Sequence, residues 1–271
     1  MTVEAVGDKS IPLEIWEKYG GKWEGKTGKF FRFLGAENPY KGFEKIGVYQ
    51  ESWETTKSLL PECPGGEILD LGCGPGYPFK DTLEITKAAK IIGIDHSSNM
   101  LVAAKRRIAR ELPDRENDIK LIEMDIGSPW DPEKVDLTLR DLALSHITLC
   151  FLTPKQREVA FSELTQRLKP GGHAVISLRT NQWTQERVKA HIPEELKMNP
   201  KACLIALGAK RYPDEIERLI QGDEIDAKRP SREEIVSLAE ENGLQIVQEK
   251  GTFWPNDPEG AAGIAFLFQK P

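Results

Sequence analysis

The seven residues Asp70-Leu-Gly-Cys-Gly-Pro-Gly76 combine one carboxylate with glycines at 72, 74 and 76, directly after the apolar run Ile68-Leu69. Glycine at these positions lets the chain turn tightly and lets a ligand approach the backbone. A helical pattern follows, and its N-terminus offers unpaired N–H groups. Asp95 ends the next apolar run, Ile91-Ile-Gly-Ile-Asp95, nineteen residues after Gly76, where a carboxylate can accept hydrogen bonds from a ribose diol. A dinucleotide fingerprint, G-x-G-x-x-G, would want a small residue at position 77, and Tyr77 stands there. The spacing therefore favours a ligand without phosphate, held by a short turn and by carboxylates. Farther along, His146 lies in Leu142-Ala-Leu-Ser-His-Ile147 and is the candidate general base, because an imidazole can titrate near neutral pH. The other reading is a structural histidine bonded within its helix.

Alternating elements must position these groups. Short β-rich runs are expected at 67–71, 90–95, 120–125, 135–140 and 173–179, with helices near 78–87, 99–112, 142–149 and 154–168. Such alternation produces βαβ units and a mostly parallel sheet. A stretch of roughly fifty residues, about 181–230, reads as helices broken by prolines and is expected to be an insertion. Ser231 then caps a helix with Glu234 three residues on, Gly243 ends it, and the runs 244–252 and 262–269 are expected to form an antiparallel hairpin at a sheet edge. Residues 1–60 form an arm rich in aromatics and glycines, either a lid or a set of rings packed on the surface of the domain that spans 61–271.

Taken together, D-x-G-x-G-x-G after strand one, the acid ending strand two, Met124-Asp125-Ile126 ending strand three and Arg167-Leu-Lys-Pro-Gly-Gly172 before strand five resemble class I S-adenosylmethionine-dependent methyltransferases. The resemblance covers residues 66–180, and the helix and hairpin at 231–270 complete it. It implies an α/β fold: a doubly wound, mostly parallel, seven-stranded Rossmann-like sheet with an antiparallel last strand. It also implies S-adenosylmethionine as cofactor. Gly72 and Gly74, with Cys73 between them, would lie against its methionine moiety, and Asp70 would organise that turn. Asp95 would hold the ribose hydroxyls and His96 would face the adenine. Asp125 would accept a hydrogen bond from the adenine amino group, unless it is an ordinary strand-end carboxylate, and Ile126 would line the ring. Backbone after strand four, near Leu139 and Arg140, would meet the cofactor's amino group. Arg140 and Asp141 are candidates to bind a polar substrate, or else to pair with each other or start a helix. Tyr19 in the arm would close over the site, and the insertion would cap the substrate.

The 37 basic residues against 43 acidic give a net charge of -6, which argues against a nucleic-acid partner. The basic group Lys105, Arg106, Arg107 and Arg110 falls on a helix, where a solvated face is the simpler reading. The Asn-Pro-Pro-Tyr type of motif of nucleic-acid amino-methyltransferases does not follow strand four, where Arg140-Asp141-Leu142-Ala143 stands. A small-molecule methyl acceptor is expected, with an RNA or protein acceptor, or a cofactor-binding member of the fold that does not methylate, as alternatives. Four dispersed cysteines without a CxxC pair indicate no zinc site and no disulfide framework. No run of apolar residues reaches the ~20 of a membrane span, nothing at the N-terminus reads as a secretion signal, and the cytoplasm is the expected compartment. The sequence does not specify an oligomeric state.

Overall fold

A computed structural model describes residues 47–180, 229–252 and 263–271. Tyr19, most of the arm and nearly all of the 181–230 insertion lie outside the described residues. Helix α1 (Gly47–Lys57) leads into β1 (Glu67–Leu71), α2 (Phe79–Thr86), β2 (Lys90–Asp95), α3 (Ser98–Glu111) and β3 (Ile119–Glu123). Then come β4 (Arg140–His146), α4 (Pro154–Gln166), β5 (Leu168–Arg179), α5 (Arg232–Glu241), β6 (Gln245–Thr252) and β7 (Gly263–Gln269). The seven strands form one sheet in the order β3-β2-β1-β4-β5-β7-β6. Neighbours from β3 through β5 pair in parallel, and β7 runs antiparallel to both β5 and β6. This is the doubly wound fold that the alternation and the motifs imply.

Local chemistry sets the boundaries. Ser97 caps α3, its hydroxyl accepting from the Met100 amide at 3.3 Å. Thr153 and Gln156 form a reciprocal capping box on α4, with Pro154 opening the helix. Ser231 caps α5 through the Glu234 amide at 3.1 Å, while the Glu234 carboxylate turns to the buried Arg157, 2.8 Å from its Nε. Helices α1, α2 and α3 cover one face of the sheet through Trp53, Phe79, Leu83, Ala104 and Ile108. On the other face α4 and α5 pack through Phe161, Leu164, Ile235 and Leu238. Central strands buried on both faces read as near-continuous apolar runs; Ile68, Leu69, Asp70 and Leu71 of β1 are all buried. Lys105, Arg106 and Arg110 are exposed on α3, whereas Arg107 is buried with its guanidinium 5.5 Å from the Tyr77 ring.

Strand β5 starts at Leu168, five residues before the expected 173, β3 ends at Glu123 and not at 125, and β4 differs most from expectation. Residues 135–139 are not a strand, and Leu142–His146, read from sequence as the start of a helix, belong to β4. A 3-10 turn over Leu149–Phe151 follows. The slip moves Arg140 and Asp141 from the C-terminal end of the strand to its N-terminal end.

The ends of β4 and β5 lie together at the C-terminal edge of the sheet, His146 pairing with Ser177. Thr180 follows Arg179, which pairs with Gly263, and Gly263 pairs with Thr252. Helix α1 meets the sheet at this level: Trp53 and Thr56 contact His146, and Lys57 lies 3.6 Å from Asp81 in the first turn of α2. Among the described residues no helix is long and apolar enough to cross a membrane.

Candidate active site

The turn after β1 is fixed mainly by backbone bonds. The amides of Gly72 and Cys73 both donate to the Ile94 carbonyl of β2, at 2.7 and 2.9 Å. Gly74 donates to Asp95 Oδ2 at 2.9 Å, and the other oxygen of Asp95 accepts from the Ser97 amide at 2.9 Å. Gly72 and Gly74 have φ of 68° and 53°, a region that costs L side chains energy. Their surroundings differ. A Cβ on Gly72 would lie 2.1 Å from the Thr148 methyl, whereas one on Gly74 would have nothing within 4 Å among the described residues. Gly72 is thus required by the protein's own packing, and Gly74 presents open backbone.

Beneath this turn Asp70 is 2% exposed, and its Oδ2 has no hydrogen-bond partner among the described residues. Burial, aided by the nearby Asp95 charge, raises its carboxyl to about 8. Burial raises Asp95 as well, opposed by the Ser97 amide, by His96 and by the Gly74 amide. The imidazole of His96 lies beside Asp95, Nδ1 3.8 Å from Oδ1, and its Nε2 is buried without a partner among the described residues. Cys73 is buried against Gly93, and burial, with Asp70 and Asp95 adding to it, pushes its thiol well above the usual range. It is not a nucleophile here.

Asp125 closes a turn after β3, accepting from the Gly127 amide at 2.9 Å and the Ser128 hydroxyl at 2.7 Å. Ile126 packs in the core, 5% exposed, and its carbonyl accepts from Trp130 Nε1 at 3.2 Å.

His146 ends β4, and the structure favours the structural reading over the base. Its Nδ1 lies 2.7 Å from Ser177 Oγ and 3.2 Å from Thr56 Oγ1, and the Trp53 ring meets it edge-on at 5.3 Å. Burial, reinforced by the Arg179 guanidinium, lowers the imidazole to about 3. It is neutral at pH 7 and too weak a base to accept a proton efficiently. Its hydrogen bonds run between strands and to α1, not within a helix.

Arg140 and Asp141 are corrections of position. Arg140 is 2% exposed, and its guanidinium bonds the Asp136 carbonyl at 3.0 Å and the Asp136 carboxylate at 2.5 Å. Asp141 accepts from the Glu67 amide at 2.9 Å and from Lys169 Nζ at 2.7 Å. Both sit at the N-terminal edge, away from the glycine turn. The backbone that does follow β4 beside that turn is Ile147-Thr148, and no spacing in the sequence marks these two residues.

Residues 68–172 match the family model described as a methyltransferase domain. The match covers the glycine turn, Asp95, Asp125 and all of β4, so this part of the chain is similar to a methyltransferase domain. Residues 68–172 hold every element from β1 to the start of β5, while α1, α5, β6 and β7 flank the match. Among curated proteins, a carboxy-S-adenosyl-L-methionine synthase of a Shewanella species is 30% identical over 119 residues, 42% of this chain and 44% of that protein. An arsenite methyltransferase of Halobacterium salinarum is 23% identical over 171 residues, 60% of this chain and 38% of its own length. The chain thus spans less than half the length of these relatives. Among solved structures, the N-methyltransferase NodS of Bradyrhizobium japonicum, in complex with S-adenosyl-L-homocysteine, superposes with a TM-score of 0.55 at 15% identity, covering 90% of this chain and 97% of its own. An S-adenosylmethionine-dependent methyltransferase of Mesorhizobium loti superposes with a TM-score of 0.54 at 18% identity, covering 81% and 97%.

Proposed function

We propose that the chain transfers a methyl group from S-adenosylmethionine to a small-molecule acceptor. The observations that carry the cofactor assignment are the open flank of Gly74 and the buried Asp70 oxygen that has no partner among the described residues. A cationic ammonium with a short aliphatic chain suits that pairing of exposed backbone and orphan acceptor. Gly72, Cys73 and Gly74 form the wall for the methionine moiety. Asp95 has lone pairs beyond those given to Gly74 and Ser97 and serves the ribose diol. His96 and Asp125 stand at the ends of neighbouring strands, where an adenine would lie between them.

When bound, S-adenosylmethionine supplies a methyl already activated by its sulfonium. The residues of this chain have the remaining tasks of alignment and exclusion of water. His146 contributes by holding Trp53, Thr56 and Ser177 together at the edge of the site, with no proton transfer required of it.

The small-molecule acceptor is supported by the net charge of -6. Acceptor selection is assigned from the sequence to Tyr19 and the 181–230 insertion. The 30% identity to a carboxy-S-adenosyl-L-methionine synthase favours one second reading, a member that binds the cofactor without methylating an acceptor. Incubating the purified full chain with methyl-labelled S-adenosylmethionine and cell extract, then separating small molecules from protein and nucleic acid, tests both. Label in the small-molecule fraction is expected. Label in RNA or protein overturns the acceptor class, and binding without any labelled product leaves the second reading in its place.

A further inference from the structure

The first turn after β4 is built against conformational preference. Ile147 is held at φ 53°, a left-handed conformation that is unfavourable for a β-branched residue and is retained only where the surroundings enforce it. Here its amide donates to the Ser177 carbonyl at 2.8 Å, and the residue is 6% exposed. The effect of this twist is to turn the next residue onto the glycine loop. Thr148 Oγ1 lies 3.1 Å from the Gly72 carbonyl and 3.3 Å from the His146 carbonyl. Its side chain fills the space that a Cβ on Gly72 would need, the methyl at 2.1 Å and the hydroxyl at 2.5 Å from that position.

The glycine loop is therefore gripped from two sides. Asp95 of β2 holds Gly74 by its amide at 2.9 Å, and Thr148 holds Gly72 by its carbonyl. The open Gly74 flank is at one of these holds, and the orphan Asp70 oxygen belongs to the strand residue two positions before the other.

We propose that Thr148 is a positioning residue for the cofactor: it sets the loop's distance from the end of β4 through its hydroxyl bond to Gly72, and so preorganises the backbone wall against which the ligand packs. This rests on the methyltransferase reading above. A hydroxyl at this position ties the acceptor side of the site, after β4, to the cofactor side, after β1. A loop already fixed in its bound geometry binds more tightly, because less ordering is left to be done on binding.

The test is titration calorimetry of S-adenosylhomocysteine with the full-length wild type, Thr148→Val and Thr148→Ser, with the thermal midpoint recorded for each. Valine keeps the shape and removes the hydroxyl, whereas serine keeps the hydroxyl and removes the methyl. The expected result is at least a fivefold weaker Kd for Thr148→Val and a Kd within twofold of wild type for Thr148→Ser. Thr148→Ala replaces the valine variant if the latter does not fold, with the same loss expected. Wild-type affinity in the variant lacking the hydroxyl, or an equal loss in Thr148→Ser, overturns the positioning role while leaving the methyltransferase reading intact. Failure of the wild type itself to bind overturns that reading, and this inference with it.

Discussion

Asp70 and Asp95 occupy neighbouring strand ends, yet their environments differ. Asp95 spends its two oxygens on the Gly74 and Ser97 amides, whereas Asp70 is left with an oxygen that has no partner among the described residues. The folded carboxyl of Asp70 stays protonated up to about 8, while an unfolded aspartate ionises near pH ~4. Between these values the folded state binds more protons than the unfolded one. The contribution of Asp70 to stability is thus fully present below about pH 4 and is lost as pH rises through its folded pKa. Asp70→Asn keeps the neutral shape at every pH. In the absence of ligand, the urea midpoint of the wild type is expected to fall relative to Asp70→Asn between pH 5.5 and 9. A constant difference across that range would show that the carboxyl is already ionised at the lower pH and that its partner has been missed. The importance of Asp70 was legible in the sequence from its place in D-x-G-x-G-x-G, but its unpaired oxygen was not, because burial depends on residues far away in the chain.

Elements β1 and β2 can be read to the residue from their apolar runs, the one closed by Gly72 and the other by Asp95, and the cap of α5 follows from Ser231. Strand β4 could not be read in this way. Leu142-Ala-Leu-Ser-His is a short apolar stretch, and a strand buried on both faces has the same pattern as the start of a buried helix. Placing the strand too early put Arg140 and Asp141 at the site and hid Ile147 and Thr148. The contact that replaces them can be tested between elements. Gly72→Ala adds a methyl to a residue at φ 68° and directs it into Thr148. The backbone term alone is roughly 1–2 kcal/mol, and the collision adds to it. Gly72→Ala is therefore expected to destabilise the wild type by more than about 2 kcal/mol and to cost less in a Thr148→Ala background, where the colliding methyl and hydroxyl are gone. Equal costs in the two backgrounds, measured by urea unfolding, would mean that the β1 and β4 loops do not meet as described.

At the scale of the molecule the sheet has two edges with separate work. The glycine turn, Asp95, His96 and Thr148 gather at the C-terminal edge. The N-terminal edge is held by Asp141, which joins the starts of β1, β4 and β5 through the Glu67 amide and Lys169. The seven residues of β4 separate the edges by about 20 Å at ~3.3 Å per residue. Partial burial opposes ionisation of Asp141, yet Lys169 and the Glu67 amide hold its carboxyl below the usual range. The stability that this ionisation contributes is present above the unfolded pKa near ~4 and is lost as pH falls through the folded value. Asp141→Asn is accordingly expected to lower stability by about 1 kcal/mol at pH 7, the difference shrinking as the wild type becomes protonated toward pH 3. The affinity for S-adenosylhomocysteine should not change, because Asp141 bonds Glu67 and Lys169 and neither belongs to the proposed site. If instead Asp141→Asn weakened binding severalfold at unaltered stability, Asp141 would belong to the binding site, and the division of labour between the two edges would fail.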